Sequence, residues 1–255
     1  MPLFLQILLA CLLGGLLSML AALLLISGFL SKRSLPYAVS FSTGVLLATS
    51  MLHLMPEALV SGLTPQEAFP ILLGGILVFF ALEKFAIWRH AHHSTDSEEK
   101  PAHVHHHSHH HVHHHGSGAV GILIGDGFHN FTDGLLIAAA FMSDPALGWA
   151  TTIAVITHEI PQEAGDFAIL MAAGWKRSRA LFWNGMSSLA SVAGGIVGYF
   201  ALDHMQNAVP YIVIVAAASF MYIAIADLLP RLKLEWHGIG WHIILLSAGI
   251  VVSIL

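Results

Sequence analysis

Two short polar motifs interrupt long apolar stretches of the sequence, HNFTDG at 129–134 and HEIPQE at 158–163. Their imidazole, carboxylate and carboxamide groups are ligands for divalent metal ions. In a helix, residues three, four and seven positions apart share one face, so each motif and its acidic neighbours form a polar stripe. The two stripes consist of Asp126, His129, Asn130 and Asp133, and of His158, Glu159, Gln162, Glu163 and Asp166.

These stripes are costly in an apolar environment unless a cation, protons or water offset the charge. An ionised Asp or Glu at the centre of a membrane-spanning helix costs about 2.5–3.5 kcal/mol, and no Lys or Arg lies in either stretch. A lone buried His or Asn is usually a structural hydrogen-bonding group, whereas converging ligand groups indicate a metal site. Nitrogen and oxygen ligands without a thiol suit zinc, iron or manganese and allow the release that transport requires.

The rest of the sequence predicts an all-α integral membrane protein. Of the 255 residues, 56% are hydrophobic and 10% are charged, against about 25% charged in a typical soluble protein. A helix needs about 20 apolar residues to cross the hydrocarbon core, and eight stretches qualify, which predicts eight transmembrane helices. They are residues 3–30, 37–60, 69–90, 118–141, 149–173, 180–202, 208–229 and 239–255. The metal centre is predicted between helices four and five, near the middle of the membrane.

The ten Lys and Arg residues all fall on one side of this eight-helix topology. They precede the second helix, surround the end of the third, and lie between the fifth and sixth and between the seventh and eighth. Because cytoplasmic loops are enriched in Lys and Arg, both termini are predicted to lie outside. Residues 1–255 are predicted to form a single transmembrane transporter domain.

A histidine-rich tract follows the third predicted helix. Thirteen of the 19 histidines lie between 90 and 115, where the composition cannot build a core. We predict a disordered cytosolic loop at 91–117 that binds zinc-like ions without being essential for the main activity. Its candidate accessory ligands are His105, His106, His107, His109, His110, His111, His113, His114 and His115.

HNFTDG followed by HEIPQEAGDF resembles the paired fourth- and fifth-helix motifs of the ZIP (Zrt-, Irt-like) metal transporters, nearest the branch with an HExPHExGD motif. The resemblance implies an eight-helix bundle with a two-metal centre that moves divalent metal, zinc foremost, toward the cytosol. One implied site consists of His129, Asp133, His158 and Gln162. The other consists of Asn130, Asp133 and Glu159, with Asp133 bridging the two. Gln162 departs from the pattern, since that branch usually has His there and other branches have Glu.

Further polar residues are candidates for the route of the metal. Asp126 and Asp166 extend the stripes, and Asn184 on the sixth helix is an additional candidate, whereas Glu163 is counted among the metal ligands themselves. The resemblance also links His53, Glu57 and Asp227 to the route, although polar residues that meet water at helix ends would give the same pattern.

Two other functions fit part of the sequence. HEIPQ differs by one residue from the HExxH motif, in which two His hold zinc and Glu acts as a base, so an intramembrane zinc metalloprotease is one alternative. A non-transporting metal sensor or buffer is the other. We predict a transporter and not an enzyme, with Zn²⁺, or else iron, manganese or cadmium, as substrate and without a cofactor.

The remaining predictions concern partners and location. The expected partners are divalent metal ions, the lipid bilayer and a second copy in a homodimer. Nucleic acid is not expected, because Lys and Arg are few. The expected location is a bacterial inner membrane rather than a eukaryotic endomembrane.

Overall fold

The computed structural model describes residues 1–27, 35–92, 117–232 and 238–254. Within these ranges the chain forms eight helices, besides a short 3₁₀ helix at Gln206–Ala208, and is helical almost throughout, which confirms the all-α prediction. They are α1 (Leu3–Ile26), α2 (Leu35–Ala48, Thr49–Leu54 and Met55–Val60), α3 (Pro65–His92), α4 (Ser117–Ser143), α5 (Pro145–Ala172), α6 (Arg177–Ser188 and Ala190–Asp203), α7 (Val209–Tyr222, Ile223–Leu228 and Leu229–Arg231) and α8 (Ile239–Ile254). The nine candidate accessory histidines between 105 and 115, and nearly all of the predicted loop, lie outside the described residues.

Five helices of the described part of the chain, α1, α2, α3, α6 and α7, are long and apolar enough to cross a membrane. This number indicates an integral, multi-pass membrane protein. The apolar α8 is shorter, at 16 residues. The long helices α4 and α5, of 27 and 28 residues, carry the two polar stripes and are not among these five.

The connection between α4 and α5 is a single residue, Asp144, so the two stripe-bearing helices pack against each other in antiparallel orientation. Asp144 Oδ1 caps α5 by accepting hydrogen bonds from the N–H groups of Ala146 (2.8 Å) and Leu147 (3.1 Å). Pro145 occupies the first helical turn, where its missing N–H is not needed. This cap starts the helix at residue 145, four residues before the predicted start at 149.

Helix α6 approaches α4 so closely that only glycine fits at the contact. A Cβ atom built on Gly134 in α4 would lie 1.8 Å from the carbonyl oxygen of Ser191, and one on Gly194 in α6 would lie 1.9 Å from that of Phe131. Small residues allow this close packing between membrane helices. Helix α4 is therefore held between α5 and α6, which places its polar stripe inside the protein.

Helices α2 and α7 each contain a six-residue π-helical segment, Thr49–Leu54 and Ile223–Leu228. Such segments are often found at functional sites. His53 lies in the first and Asp227 in the second. Two of the outlying candidates therefore lie where their helices depart from α-helical geometry.

Candidate metal centre

The polar stripes of α4 and α5 meet in the structure. His129 and His158 lie almost the same number of residues from Asp144, about 20 Å along their helices at a rise of 1.5 Å per residue, so they face each other at the same depth. Their Nε2 atoms are 3.2 Å apart. Asp133 and Glu159 complete a group whose ligand atoms all lie within 4.8 Å of one another.

The two carboxylates of this first group lie against both imidazoles. Asp133 Oδ2 is 3.1 Å from His158 Nε2 and 3.8 Å from His129 Nε2. Glu159 Oε1 is 3.4 Å from His129 Nε2 and 3.8 Å from His158 Nε2. Three of the residues are buried, whereas 23% of the His129 side chain is exposed. The group therefore offers a divalent ion two nitrogen and two carboxylate ligands, with His129 as the accessible one.

All four carboxylate oxygens of Asp133 and Glu159 are buried, and apart from the two imidazoles, whose Nε2 atoms lie 3.1–3.8 Å away, they have no hydrogen-bonding partner among the described residues. A buried carboxylate without a donor or a cation is very unfavourable, and α4 and α5 contain no Lys or Arg that could offset the charge. A bound divalent cation would satisfy these oxygens together. This geometry favours a metal site over a structural hydrogen-bond network.

His158 is oriented by a hydrogen bond on the opposite edge of its ring. Nδ1 lies 2.9 Å from the carbonyl oxygen of Ala154, one turn earlier in α5. Because a carbonyl only accepts hydrogen bonds, Nδ1 is the donor in this contact, and Nε2 is the ring nitrogen directed at the first group. Metal-binding histidines are usually oriented by such a contact.

A second group shares Glu159 with the first. The ligand atoms of Asp126, Glu159 and Glu163 also lie within 4.8 Å of one another, and all three side chains are buried. Asp126 and Glu163 both lie further from the α4–α5 turn than the two histidines do. The second group contains only oxygen ligands, which suit harder divalent ions than the mixed first group does.

Three side chains of α6 hold the second group in place. Ser187 Oγ donates to Asp126 Oδ2 and Ser188 Oγ donates to Glu163 Oε1, each at 2.5 Å. Asn184 Nδ2 donates to Glu163 Oε2, and its Oδ1 is buried without a hydrogen-bond partner in the described chain. Asn184 was among the sequence candidates, whereas the two serines were not, because serine in a helix rich in small residues has no distinguishing spacing.

The structure divides the predicted ligands differently from the family pattern. Among the His, Asp and Glu side chains described, Glu159 and not Asp133 belongs to both groups. Asn130 is 2% exposed, and its Nδ2 donates to Asp126 Oδ1 at 3.1 Å. The side chain of Gln162 also interacts with Asp126. Both carboxamides therefore lie beside the second group.

Two outlying candidates, His53 and Glu57 of α2, contact the ends of other helices. His53 Nε2 lies 2.6 Å from the carbonyl oxygen of Ser253 in α8. Glu57 Oε1 accepts a hydrogen bond from Ser143 Oγ, at the end of α4, at 2.8 Å. Both side chains therefore hydrogen-bond to neighbouring helices.

Asp166 and Asp227 lie elsewhere on their helices, Asp166 one turn beyond Glu163 in α5 and Asp227 in the π-helical segment of α7. Neither of them, nor His53 or Glu57, belongs to the two groups that the described residues form. Their part in a metal route stays a prediction.

Comparisons with known proteins identify zinc transporters as relatives of this chain. The family model for the ZIP zinc transporters matches residues 3–118 and 86–253. "Zinc transporter ZIP10" of Danio rerio is 40% identical over 117 residues, which are 46% of this chain and 14% of that protein. "Zinc transporter foi" of Drosophila melanogaster is 41% identical over 119 residues, 47% of this chain and 17% of that protein. "Zinc transporter ZIP13" of Pongo abelii is 32% identical over 239 residues, 85% of this chain and 65% of that protein. The chain thus spans 14% to 65% of the length of these relatives, all of which are eukaryotic.

Proposed function

The chain belongs to the ZIP zinc transporter family, and from this premise we propose that it moves divalent transition-metal ions, zinc foremost, across a membrane toward the cytosol. The observation that carries the proposal is the first group, His129, Asp133, His158 and Glu159. Its ligand atoms lie within 4.8 Å of one another, and its buried carboxylate oxygens have no hydrogen-bonding partner in the described chain other than the two imidazoles of the group. The metal ion is the substrate, and no cofactor is needed.

The two groups form successive stations on the proposed route. The ion first meets His129, the exposed member of the first group, and is bound there by imidazole and carboxylate together. Glu159 belongs to both groups, so it can keep hold of the ion while Asp126 and Glu163 replace the two imidazoles. Because zinc prefers ligand sets with imidazole over sets of oxygen alone, the second station holds it less tightly and favours release.

The direction of transport follows from the proposed topology. Eight transmembrane helices with both termini outside place the α4–α5 turn outside and the Lys- and Arg-containing connections in the cytosol. The second group lies further from this turn than the first, and therefore nearer the cytosol. Within this topology we retain residues 1–255 as one transporter domain, with 91–117 as its cytosolic histidine-rich loop.

Transport is favoured over the two alternatives. The position of the second His in HExxH is occupied by Gln162, which interacts with Asp126, and Glu159 lies within the ligand group, where it is not free to act as a base. A non-transporting sensor or buffer would need the first group alone, so it leaves the second group of buried carboxylates unexplained. The homodimer and the bacterial inner membrane stay predictions.

Metal uptake by proteoliposomes tests the proposal. Wild-type protein should take up zinc, and iron, manganese and cadmium should compete with it to different degrees. Glu159→Gln should abolish most of the uptake, because it removes charge from both groups with little change in volume. Zinc binding without uptake would identify a buffer or sensor, and cleavage of a membrane peptide without uptake would identify a protease.

A further inference from the structure

A proline in α5 leaves one backbone carbonyl beside the first group without its helical donor. Pro161 has no N–H, so the carbonyl of Thr157, four residues earlier, cannot form the usual helical hydrogen bond. Helix α5 nevertheless continues from Pro145 to Ala172. Thr157 directly precedes His158 and Glu159, so a movement of its peptide would move both ligands.

Ser42 of α2 supplies the missing donor. Its Oγ donates to the carbonyl oxygen of Thr157, and the residue is 1% exposed. The same Oγ lies 2.9 Å from the carbonyl oxygen of Ala38, but in the α-helix that carbonyl already accepts the N–H of Ser42. The hydroxyl of Thr157 cannot replace that of Ser42, because it already donates to the carbonyl oxygen of Ala154 at 2.9 Å. The hydroxyl proton of Ser42 is therefore needed at Thr157.

We propose that Ser42 is a positioning residue for the metal centre: it satisfies the freed carbonyl of Thr157 and thereby fixes the turn of α5 that carries His158 and Glu159. The inference rests on the proposed transport function. Without this hydroxyl, the freed carbonyl of Thr157 would have to find a new donor by tilting the turn, or it would compete for the metal. Either change would displace ligands whose geometry must hold within about 0.5 Å.

The position of Ser42 also explains what α2 contributes. Helix α2 packs against α5 but contains none of the His, Asp or Glu residues of the two groups. The Ser42 hydrogen bond connects it to the backbone of α5 one residue before the ligands begin. Helix α2 thus acts on the metal through α5 and not as a ligand.

A double-mutant cycle with Ser42→Ala and Pro161→Ala tests the inference. Zinc half-saturation and maximal rate are measured in proteoliposomes, and zinc affinity is measured on the purified protein. Ser42→Ala should raise the half-saturation and the dissociation constant about tenfold, or about 1.4 kcal/mol, with a smaller change in maximal rate. Pro161→Ala restores the N–H donor, so in that background Ser42→Ala should change both values by less than about twofold.

Thr43→Val is the matched control. It removes a buried hydroxyl from the residue next to Ser42. This hydroxyl donates within α2, to the Val39 carbonyl oxygen at 2.8 Å. Zinc affinity should therefore stay within about twofold of wild type. If Ser42→Ala cannot be recovered folded, the double variant should still be recovered as well as Pro161→Ala alone.

Two outcomes would overturn the inference: an unchanged zinc affinity in Ser42→Ala, or an equal loss from Ser42→Ala in both backgrounds. A wild-type protein that binds zinc without transporting it would contradict the proposed function instead. The affinity measurements would then still decide on the role of Ser42.

Discussion

His158 and His204 make the same backbone contact in different surroundings. In each, Nδ1 lies 2.9 Å from the carbonyl oxygen one turn earlier. His158 is fully buried, and its Nε2 lies 3.1 Å from an oxygen of Asp133, whereas His204 is exposed just after the end of α6. The backbone contact orients an imidazole, but it is the adjacent carboxylates that make His158 a candidate ligand.

This pair of residues gives a controlled test. His158→Ala should reduce zinc uptake by at least about tenfold, because it removes an oriented ligand from the first group. His204→Ala should leave uptake near the wild-type level. Initial rates are compared at equal amounts of protein in the membrane. Similar uptake by the two variants would show that His158 has a structural role only.

Gln162 is the residue at which this chain departs from the family pattern, and Gln162→His should change the metal preference. An added imidazole favours zinc and cadmium over manganese, so half-saturation should fall for zinc and the maximal rate should stay level or drop, because a tightly bound ion leaves slowly. Since a histidine must be neutral to bind metal, zinc uptake should also become more sensitive to pH between about 5.5 and 7.

The measurement for Gln162→His is zinc and manganese uptake against concentration at two pH values, beside wild type. Gln162 interacts with Asp126, so this variant also probes whether residue 162 takes part in metal binding at all. Unchanged zinc half-saturation together with an unchanged preference for zinc over manganese would remove residue 162 from the metal-binding set.

The candidate ligands could be predicted from the sequence because spacing within one helix fixes which side chains share a face. Their grouping could not, since it depends on the rotation and depth of three helices. The hydrogen bond from Ser187 to Asp126 joins residues 61 positions apart. In the same way, Pro161 predicts a freed carbonyl at Thr157, but nothing near it indicates a donor 115 positions away.

At the scale of the elements, α4 is the helix on which the site depends. It packs against α5 through the stripe and against α6 through glycine contacts. Apolar stretches of the sequence predict the existence of these helices, because a helix buried in the protein and a helix inserted in the membrane both need an apolar composition. They do not predict the π-helical segments Thr49–Leu54 and Ile223–Leu228, which arise from packing that no local pattern encodes.

The tight contact between α4 and α6 predicts different effects for two glycine substitutions in α4. Gly134→Ala places a Cβ against the Ser191 carbonyl oxygen and should destabilise the protein by about 1–3 kcal/mol. Gly125→Ala meets no atom within 4 Å and should stabilise it by up to about 1 kcal/mol, since alanine favours the helix.

Thermal midpoints in detergent, with zinc uptake measured in parallel, compare the two glycine variants. Gly134→Ala should lower both the midpoint and the uptake, because α4 carries His129 and Asp133. Gly125→Ala should lower neither. Equal midpoints for the two variants would mean that α4 and α6 can separate without cost.

At the scale of the whole molecule, two of the described cationic side chains pack on aromatic rings. The guanidinium of Arg179 lies 4.2 Å from the centroid of the Trp175 ring, and Lys84 Nζ lies 5.5 Å from that of Phe80. Aromatic and basic residues are typical of the membrane–water interface. Both pairs fall on the side that the proposed topology assigns to the cytosol.

The histidine-rich tract is predicted to be dispensable for transport. Both candidate metal groups are formed by described residues of α4 and α5, so deletion of 92–114 should leave substantial zinc uptake at normal expression. Uptake and the amount of protein in the membrane are measured together. Loss of flux by well-expressed protein would make the tract part of the route.

Cysteine labelling tests the topology on which the direction of transport depends. In a Cys11→Ala background, Ala146→Cys at the start of α5 should react with a membrane-impermeant maleimide applied outside. Ser178→Cys at the start of α6 should react only after permeabilisation. Labelling of permeabilised membranes is also the control, because it shows that both cysteines are accessible. Both positions are exposed in the structure, so a lack of reaction reports the membrane and not burial.

The labelling result matters most for α5, because the polar stripe that carries its candidate metal ligands also lowers the hydropathy of this helix. Exchange of the two labelling patterns would reverse the orientation, and the second group would then face the outside. Labelling of both cysteines from outside would mean that α5 does not cross the membrane. His158 and Glu159 would then no longer lie at the depth at which a membrane-spanning metal route needs them.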